Sequence, residues 1–439
     1  MICAIVDAIS TGSGLPYALS NRGARCVQVA TPIGRRLIER EVIPQPDLEW
    51  VQSGFDYLPN DPVSRSRGVP RIPSACGDFP SLVLWARRQG VTHVLAGSEP
   101  GVELADSLAD ALDLPGNSVE LSRARRDKDT MSRTLHYAGV PVPDSLRTSN
   151  PTSAVRFWND ELGGTPVVVK PLSSAGGNGV TFCRDEAEIR AAFSDLVGSL
   201  DLFGTRNESL LVQRQMSGRL FEVCTVSDSG RHEVVLVVET TKQAAVFDAM
   251  RLLTPREVAE RDAVVDVALR ALDALEIRFG AAHVEVLVGP DAVVVIEVAA
   301  RLIGFLPPQL SREALNTDQV ERLADVTLCA EAISVAPTAP EREIFARAVA
   351  LRSDAEGPIR EQQLGAVEAR LLELPSVRRV HFLIARDRRL EVTCDLPSAP
   401  GLVELLHEDP EQVAADHVAI RKLERDGLWR SLLDARLTS

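Results

Sequence analysis

The sequence predicts a chain that opens as a doubly wound α/β domain and continues as α+β structure. Three observations carry that reading. Residues 2–7, ICAIVD, are an apolar run of strand length, followed by a Gly-containing loop, a helix near 15–22 and a second run, CVQVA, at 26–30. From residue 166 onward, short β-branched runs alternate with Gly-rich turns. Residues 282–304, AHVEVLVGPDAVVVIEVAARLIG, read as a β-hairpin followed by a short polar step.

That hairpin organises the rest. Its strands are 283–288 and 293–298, joined by Gly289-Pro290-Asp291. With the turn centred on Asp291, Glu285 lies opposite Glu297 and His283 opposite Ala299. Glu297, Ala299 and Arg301 share a face if the strand runs that far. Two carboxylates so close repel unless a cation sits between them, and in apolar sequence an uncompensated pair is costly. Magnesium is the simplest compensation, because it is usually held by one or two carboxylates plus phosphate oxygens. Arg301 is then a fixed donor for a phosphoryl group. The alternative is a hairpin whose glutamates face solvent, since periodicity does not decide which face is buried.

Composition narrows the partners. A formal net charge of -14 over 439 residues argues against nucleic acid or an anionic membrane surface, so any basic site is a local pocket. No apolar run reaches the ~18 residues of a membrane span, and the N-terminus lacks the basic start of a signal peptide. Cys3, Cys26, Cys76, Cys183, Cys224, Cys329 and Cys394 form no CxxC or Cys/His cluster. The expectation is a reduced, cytoplasmic protein with mostly buried thiols and small molecules as partners; a homodimer is left open.

The remaining elements follow in order. The Gly12/Gly14 loop sits at a strand's C-terminal end but lacks the third glycine and the acidic residue of a dinucleotide fingerprint; it is a ligand loop or a tight turn. Residues 50–74 read as irregular, 79–89 as a helix and 91–96 as a strand. Glu99 and Glu103 flank the next turn, either as helix-dipole partners or as receivers of a substrate ammonium group. A basic helix over 121–143 ends at Gly139 and a Pro-Val-Pro step. Its Arg125, Arg126 and Lys128 make a solvated face or a phosphate site. The strand 166–170 ends in Lys170, and the loop 173–179, SSAGGNG, leads to a strand at 180–183. That loop can close over phosphates or be a plain hairpin turn; it is not a P-loop, because no G-K-[ST] follows. Strands at 210–215, 220–226 and 232–239 come next, then Thr240-Thr241-Lys242 and a helix over 257–275. From about residue 340 an α+β segment has strands at 347–352 and 377–384 and helices at 359–374 and 410–424.

Taken in series, Lys128, Lys170 with its Gly-rich loop, Gln213-Arg214-Gln215-Met216, Gly218 to Glu222, Glu285, Glu297 and Arg301 resemble the ATP-grasp superfamily over about residues 115–335. The preceding α/β segment, the stretch GSEPGVELAD and the following ARRDK resemble its amino-acid-ligase branch, which makes dipeptides and related amides. The resemblance implies an N-terminal α/β domain over 1–115, a two-lobed ATP-grasp core with lobes at 116–185 and 186–335, and a C-terminal α+β subdomain over 336–439. It implies ATP with magnesium, or manganese in its place. Lys128 and Lys170 then match lysines on the ATP phosphates, and Ser174, Gly176, Gly177 and Gly179 the loop that closes over them. Gln213 to Met216 match the hinge along the adenine, and Glu222 the acid near the ribose. Glu285 and Glu297 match metal ligands, and Arg301 the arginine on the transferred phosphoryl group. Lys170, His283 and Arg301 are the implied catalytic residues; Glu99, Glu103, His283, Arg301 and Gly304 are the candidate substrate contacts. The family usually reads Glu-x-Asn-x-Arg, and here Ala299 replaces the asparagine, a side chain that coordinates no metal.

The implied reaction is amide formation through an acyl phosphate, with ADP and phosphate released. Competing readings are a carboxylase-like or purine-pathway ATP-grasp enzyme, and a non-catalytic ATP-binding protein. The chain shows no biotin-carrier motif and no amidotransferase Cys/His pair.

Overall fold

A computed structural model describes residues 1–34, 37, 79–257, 259–329, 332–333, 342–359, 364–384, 389–430 and 433. The irregular stretch expected at 50–74, and Cys76, lie outside the described residues. Strand β1 (Ile2–Val6) lies between β2 (Arg25–Val29) and β3 (His93–Ala96) in a parallel three-stranded sheet. The apolar run of β1 reflects burial on both faces. Cys3 and Ile5 enter one core with Leu19 and Leu323, while Ala4 and Val6 enter another with Leu82, Trp85 and Leu108. The helix after β1 is Leu15–Ser20, preceded by a 3-10 turn, Ser10–Gly14. A Cβ on Gly12 would lie 1.8 Å from the carbonyl oxygen of Gly97, so the loops after β1 and β3 meet only because that position is glycine.

The basic segment differs from expectation. Its helix is Lys128–Tyr137, capped by the Asp127 side chain accepting from the Thr130 N–H, and Arg123–Arg125 is a separate 3-10 turn. Arg125, Arg126 and Lys128 are neither solvated nor free, whereas Arg123 and Arg133 are exposed. Arg125 is fully buried, donating to Asp106 at 2.8 Å and to the Leu275 carbonyl at 2.7 Å. Arg126 pairs with Glu99, and Lys128 with Glu297 at 2.9 Å.

An antiparallel four-stranded sheet runs β4 (Ser145–Thr148), β7 (Leu210–Arg214), β5 (Val167–Pro171), β6 (Thr181–Cys183). Val167, Val169, Leu210 and Val212 pack beneath Ile189 and Phe193 of the helix Glu186–Leu196. Alternation sends Val168, Lys170 and Gln213 to the other face, where they line a cleft.

The facing sheet has eight antiparallel strands. In sequence they are β8 (Arg219–Asp228), β9 (Arg231–Gln243), β10 (Val246–Leu252), β11 (Gly280–Val288), β12 (Val293–Ala299), β13 (Phe345–Ala350), β15 (Val377–Phe382) and β17 (Gly401–His407). Their order in space is β12-β11-β8-β9-β10-β13-β17-β15. The strands past residue 340 therefore extend the central sheet through the β10–β13 pairing and make no sheet of their own; β14 (Gly357–Pro358) and β16 (Arg389–Leu390) form a separate two-stranded ladder. The helix Ala259–Ala274 packs on this sheet through Val264, Ala268 and Leu272. Of the helix expected at 359–374, the described residues form Leu364–Leu372, ending two residues early; residues 360–363 lie outside the described residues. Cys3, Cys183 and Cys224 are buried, whereas Cys329 and Cys394 are exposed. Among the described residues no helix is long and apolar enough to cross a membrane.

Removing one partner of a buried ion pair strands the other charge, which typically costs ~3–5 kcal/mol. Arg125→Ala is expected to lower unfolding free energy by that order, read from urea denaturation at neutral pH. A loss below about 1 kcal/mol would mean that Asp106 is compensated by its other contacts.

Candidate active site

The cleft between the four- and eight-stranded sheets has a volume of 610 Å³ and is lined by Lys128, Lys170, Gln213, Lys242, His283, Glu285, Glu297 and Arg301, among others. At its centre stands a row of carboxylates. Glu285 on β11 pairs in register with Glu297 on β12, and on its other side with Glu222 on β8. His283 pairs with Ala299, as the turn geometry predicts. The register near the turn is different: Val288 pairs with Val293, one residue off a turn centred on Asp291. An irregularity at Ile296 absorbs the difference. Without it the pleat would turn Glu297 away from Glu285.

Three lysines stand against this row. Lys128 Nζ lies 2.9 Å from Glu297 and 2.8 Å from the Ser174 carbonyl. Lys242 Nζ lies 3.5 Å from Glu285 and 4.2 Å from the Phe247 ring centre. Lys170 is only 6% exposed; burial, with Lys128 adding to it, pulls its pKa down to about 8 despite Glu297. Burial would raise Glu285, yet Lys242, with His283, Lys170 and Lys128, holds it below the usual range. Glu222 has less cationic company. Burial and the Glu285 charge push it up to about 7, and Thr240 donates to it at 2.6 Å. The resemblance set Glu222 near a ribose; the structure buries it at the end of the carboxylate row, off the cleft wall.

Arg301 comes from the bend just after β12, which ends at Ala299. Its Nε donates to Glu99 at 2.8 Å and its Nη1 to His283 Nδ1 at 3.4 Å. Burial and the neighbouring guanidinium lower His283 to about 3, so its ring is neutral at pH 7. Burial opposes ionisation of Glu99, but Arg126, Arg301 and Lys128 outweigh it and hold Glu99 at about 2. Ala299 pairs with His283 on the face of Glu297, as expected, but its short side chain is 1% exposed and does not reach the cleft wall. Glu103 also departs from expectation. It is exposed on the first turn of the helix Val102–Ala111 and points away from the site. Gly304 lines a neighbouring cavity together with Glu99 and Arg301.

The Gly-rich loop covers one side of the cleft. Gly177 has φ +80°, and a Cβ there would meet the Ala245 carbonyl oxygen at 2.9 Å, so both conformation and space require glycine. Ser174 Oγ bonds Asn178 at 3.1 Å. Gln213, Arg214, Gln215 and Met216 line the same cleft. Gly176 and Gly177 do as well, whereas Gly179 packs behind the loop against Pro171. The sequence reading missed the part played by Lys242 and Arg126; the signal for Lys242 was a lysine after two threonines, which becomes meaningful only once β9 pairs with β10.

No group of three or more side chains among the described residues is arranged to hold a metal on its own. Glu285 and Glu297, side by side and hard, suit an ion that takes the rest of its shell from phosphate oxygens.

Glu99 supplies an acid-range prediction. Its folded pKa of about 2 lies below the ordinary 4.5, so it contributes stability above about pH 4.5 that is lost as pH falls through about 2. The melting-temperature gap between wild type and Glu99→Gln is expected to be full at pH 6 and to close towards pH 2.5. A gap independent of pH would mean that Glu99 is not held ionised by its arginines.

The comparisons with known proteins agree with this geometry. Residues 125–305 match the ATP-grasp domain family. Dapdiamide A synthase of Enterobacter agglomerans is 28% identical over 364 residues, covering 82% of this chain and 85% of that protein. The L-amino acid ligase of Bacillus licheniformis superposes with a TM-score of 0.67 at 17% identity, covering 96% of this chain and 97% of the other. The N5-carboxyaminoimidazole synthase of Aspergillus clavatus gives a TM-score of 0.66 at 12% identity, covering 97% and 98%. These two structures share the fold. The ATP-grasp match spans residues 125–305 of this chain, and over most of its length the chain is similar in sequence to Dapdiamide A synthase.

Proposed function

We propose that the chain is an ATP-dependent carboxylate–amine ligase that joins an amino acid or similar carboxylate to an amine, releasing ADP and phosphate. The carrying observation is the in-register carboxylate row faced by Lys128, Lys170 and Lys242, with Arg301 at its end and a Gly-rich loop above. In this reading the four- and eight-stranded sheets are the two nucleotide-binding lobes, and the loops after β1 and β3 face the substrates.

Each residue then has a task. Lys128 and Lys170 hold the phosphates, and the backbone of Gly176 and Gly177 shields them from water. Gln213 to Met216 lie along the base. Glu285 and Glu297 would hold magnesium, which supplies charge neutralisation on the phosphate oxygens. The substrate carboxylate attacks the γ-phosphorus, the bond to the β-phosphate oxygen breaks, and an acyl phosphate forms. The amine then attacks the acyl carbon, loses a proton, and phosphate departs. Arg301 stands where a phosphoryl group or the tetrahedral oxyanion needs a donor. Neutral His283 accepts from Arg301 and so fixes the guanidinium without competing for the anion.

Phosphate release is expected to require added amino acid, with ADP as the nucleotide product and an amide by mass. AMP and pyrophosphate as stoichiometric products would overturn the reading. Lys170→Ala should lower kcat/KM for ATP by at least ~1.5–3 kcal/mol, the loss of one charge-assisted contact, while the melting transition persists. Wild-type turnover in the folded variant would remove Lys170 from the site.

A further inference from the structure

The Gly-rich loop, 173–179, leaves the four-stranded sheet after β5, but part of what holds it comes from the far end of the chain. The segment 394–398 lies against it. Leu396 N–H donates to the Gly176 carbonyl at 3.1 Å. Asn178 Nδ2 donates to Asp395 Oδ2 at 3.4 Å, across 217 residues of sequence. Gly176 has φ +65°, and a Cβ there would meet Pro397 Cδ at 3.3 Å, so the two segments are in close contact where the loop needs a glycine.

The Asp395 carboxylate is shared between two tasks. One oxygen closes its own turn: Ser398 N–H and Oγ donate to Asp395 Oδ1 at 3.0 and 2.7 Å. The Cys394 and Asp395 N–H groups donate to Ser398 Oγ at 2.9 and 3.0 Å, which fixes that hydroxyl in turn. The other carboxylate oxygen holds Asn178. On the loop side the contact is passed inward. Asn178 Oδ1 accepts from Ser174 Oγ at 3.1 Å, and the Ser174 carbonyl accepts from Lys128 Nζ at 2.8 Å. Asn178 lines the cleft, whereas Asp395, Leu396 and Pro397 line no part of it. Leu396 and Pro397 instead line a second cavity, 210 Å³ in volume, beside the cleft. The segment therefore acts on the cleft only through the loop.

We propose that Asp395, oriented by Ser398, is a positioning residue for the Gly-rich loop. It holds Asn178, and through it Ser174, in the shape that covers the phosphates. The proposal rests on the ligase reading for what the loop covers. A loop rich in glycine has many conformations to lose, and a contact that fixes it before the ligand arrives lowers the ordering cost of binding.

The test makes Asp395→Ala and Asn178→Ala, singly and together, in the full chain. Amide hydrogen exchange is followed over 173–179, and a non-hydrolysable ATP analogue with magnesium is titrated by calorimetry. Asp395→Ala is expected to exchange the loop amides roughly tenfold faster and to weaken the analogue about threefold or more, with the melting transition retained. Because Asn178 can also touch the nucleotide, the pair is what decides. The double variant should be no looser in exchange than Asp395→Ala alone, since both changes break one contact. Ser398→Ala, which frees the carboxylate without removing it, should shift both readouts in the same direction by less. Unchanged exchange or affinity in Asp395→Ala, a fall in melting temperature alone, or exchange effects of the two sites that add would overturn the proposal. If Asp395→Ala does not fold, Ser398→Ala and its double variant with Asn178→Ala are read by the same criteria. A failure of the ligase reading looks different: loop exchange responds as expected, yet the wild-type chain binds no analogue or no added amino acid releases phosphate from ATP.

Discussion

Three glutamates in register on neighbouring strands cannot all be ionised in an apolar sheet unless cations face them, and the architecture answers that constraint. Lys128 arrives from a helix start, Lys170 from the four-stranded sheet and Lys242 from β9. Each comes from a different element, so the cleft is assembled by charge as well as by packing. Lysines stand within 4 Å of Glu285 and Glu297, and Glu285 is held below the usual carboxylate range. Glu222, which has none so close, is pushed up to about 7 by burial and by the Glu285 charge.

The same principle fastens the N-terminal sheet to the hairpin. Glu99 lies just past β3 and receives both Arg126 and Arg301. With Glu99 held at about 2 by its cations, its pairs with Arg126 and Arg301 stay ionised across any physiological pH. His283 completes the support as a neutral acceptor.

How much of this could be read from the chain depended on range. The Glu285–Glu297 pairing was legible because a hairpin is local and its β-branched strands alternate. The compensating irregularity at Ile296 was not, since two register shifts cancelled: a pairing at the turn one residue off the expected register and a bulge of one residue. The partners of the basic cluster were not legible because the acceptors of Arg125, Arg126 and Lys128 lie 19, 27 and 169 residues away in sequence. Glu103 shows the reverse error. It lies four residues past Glu99, a spacing that shares a face only within one helix; Glu99 sits in the 3-10 turn Glu99–Gly101 and Glu103 in the helix Val102–Ala111 that follows, where it is exposed. The joining of the C-terminal strands to the central sheet left no periodic trace, because strand pairing at such separation is decided by packing.

That joining also has a physical consequence for the cleft. The C-terminal segment reaches back to the Gly-rich loop: Leu396 N–H donates to the Gly176 carbonyl at 3.1 Å, and Asn178 donates to Asp395 at 3.4 Å. Leu396 and Pro397 line the second cavity and not the cleft, while Gly176, whose carbonyl Leu396 holds, belongs to both linings. The two spaces therefore meet at the Gly-rich loop, whose backbone and Asn178 side chain are fixed by the C-terminal segment as well as by the loop's own contacts.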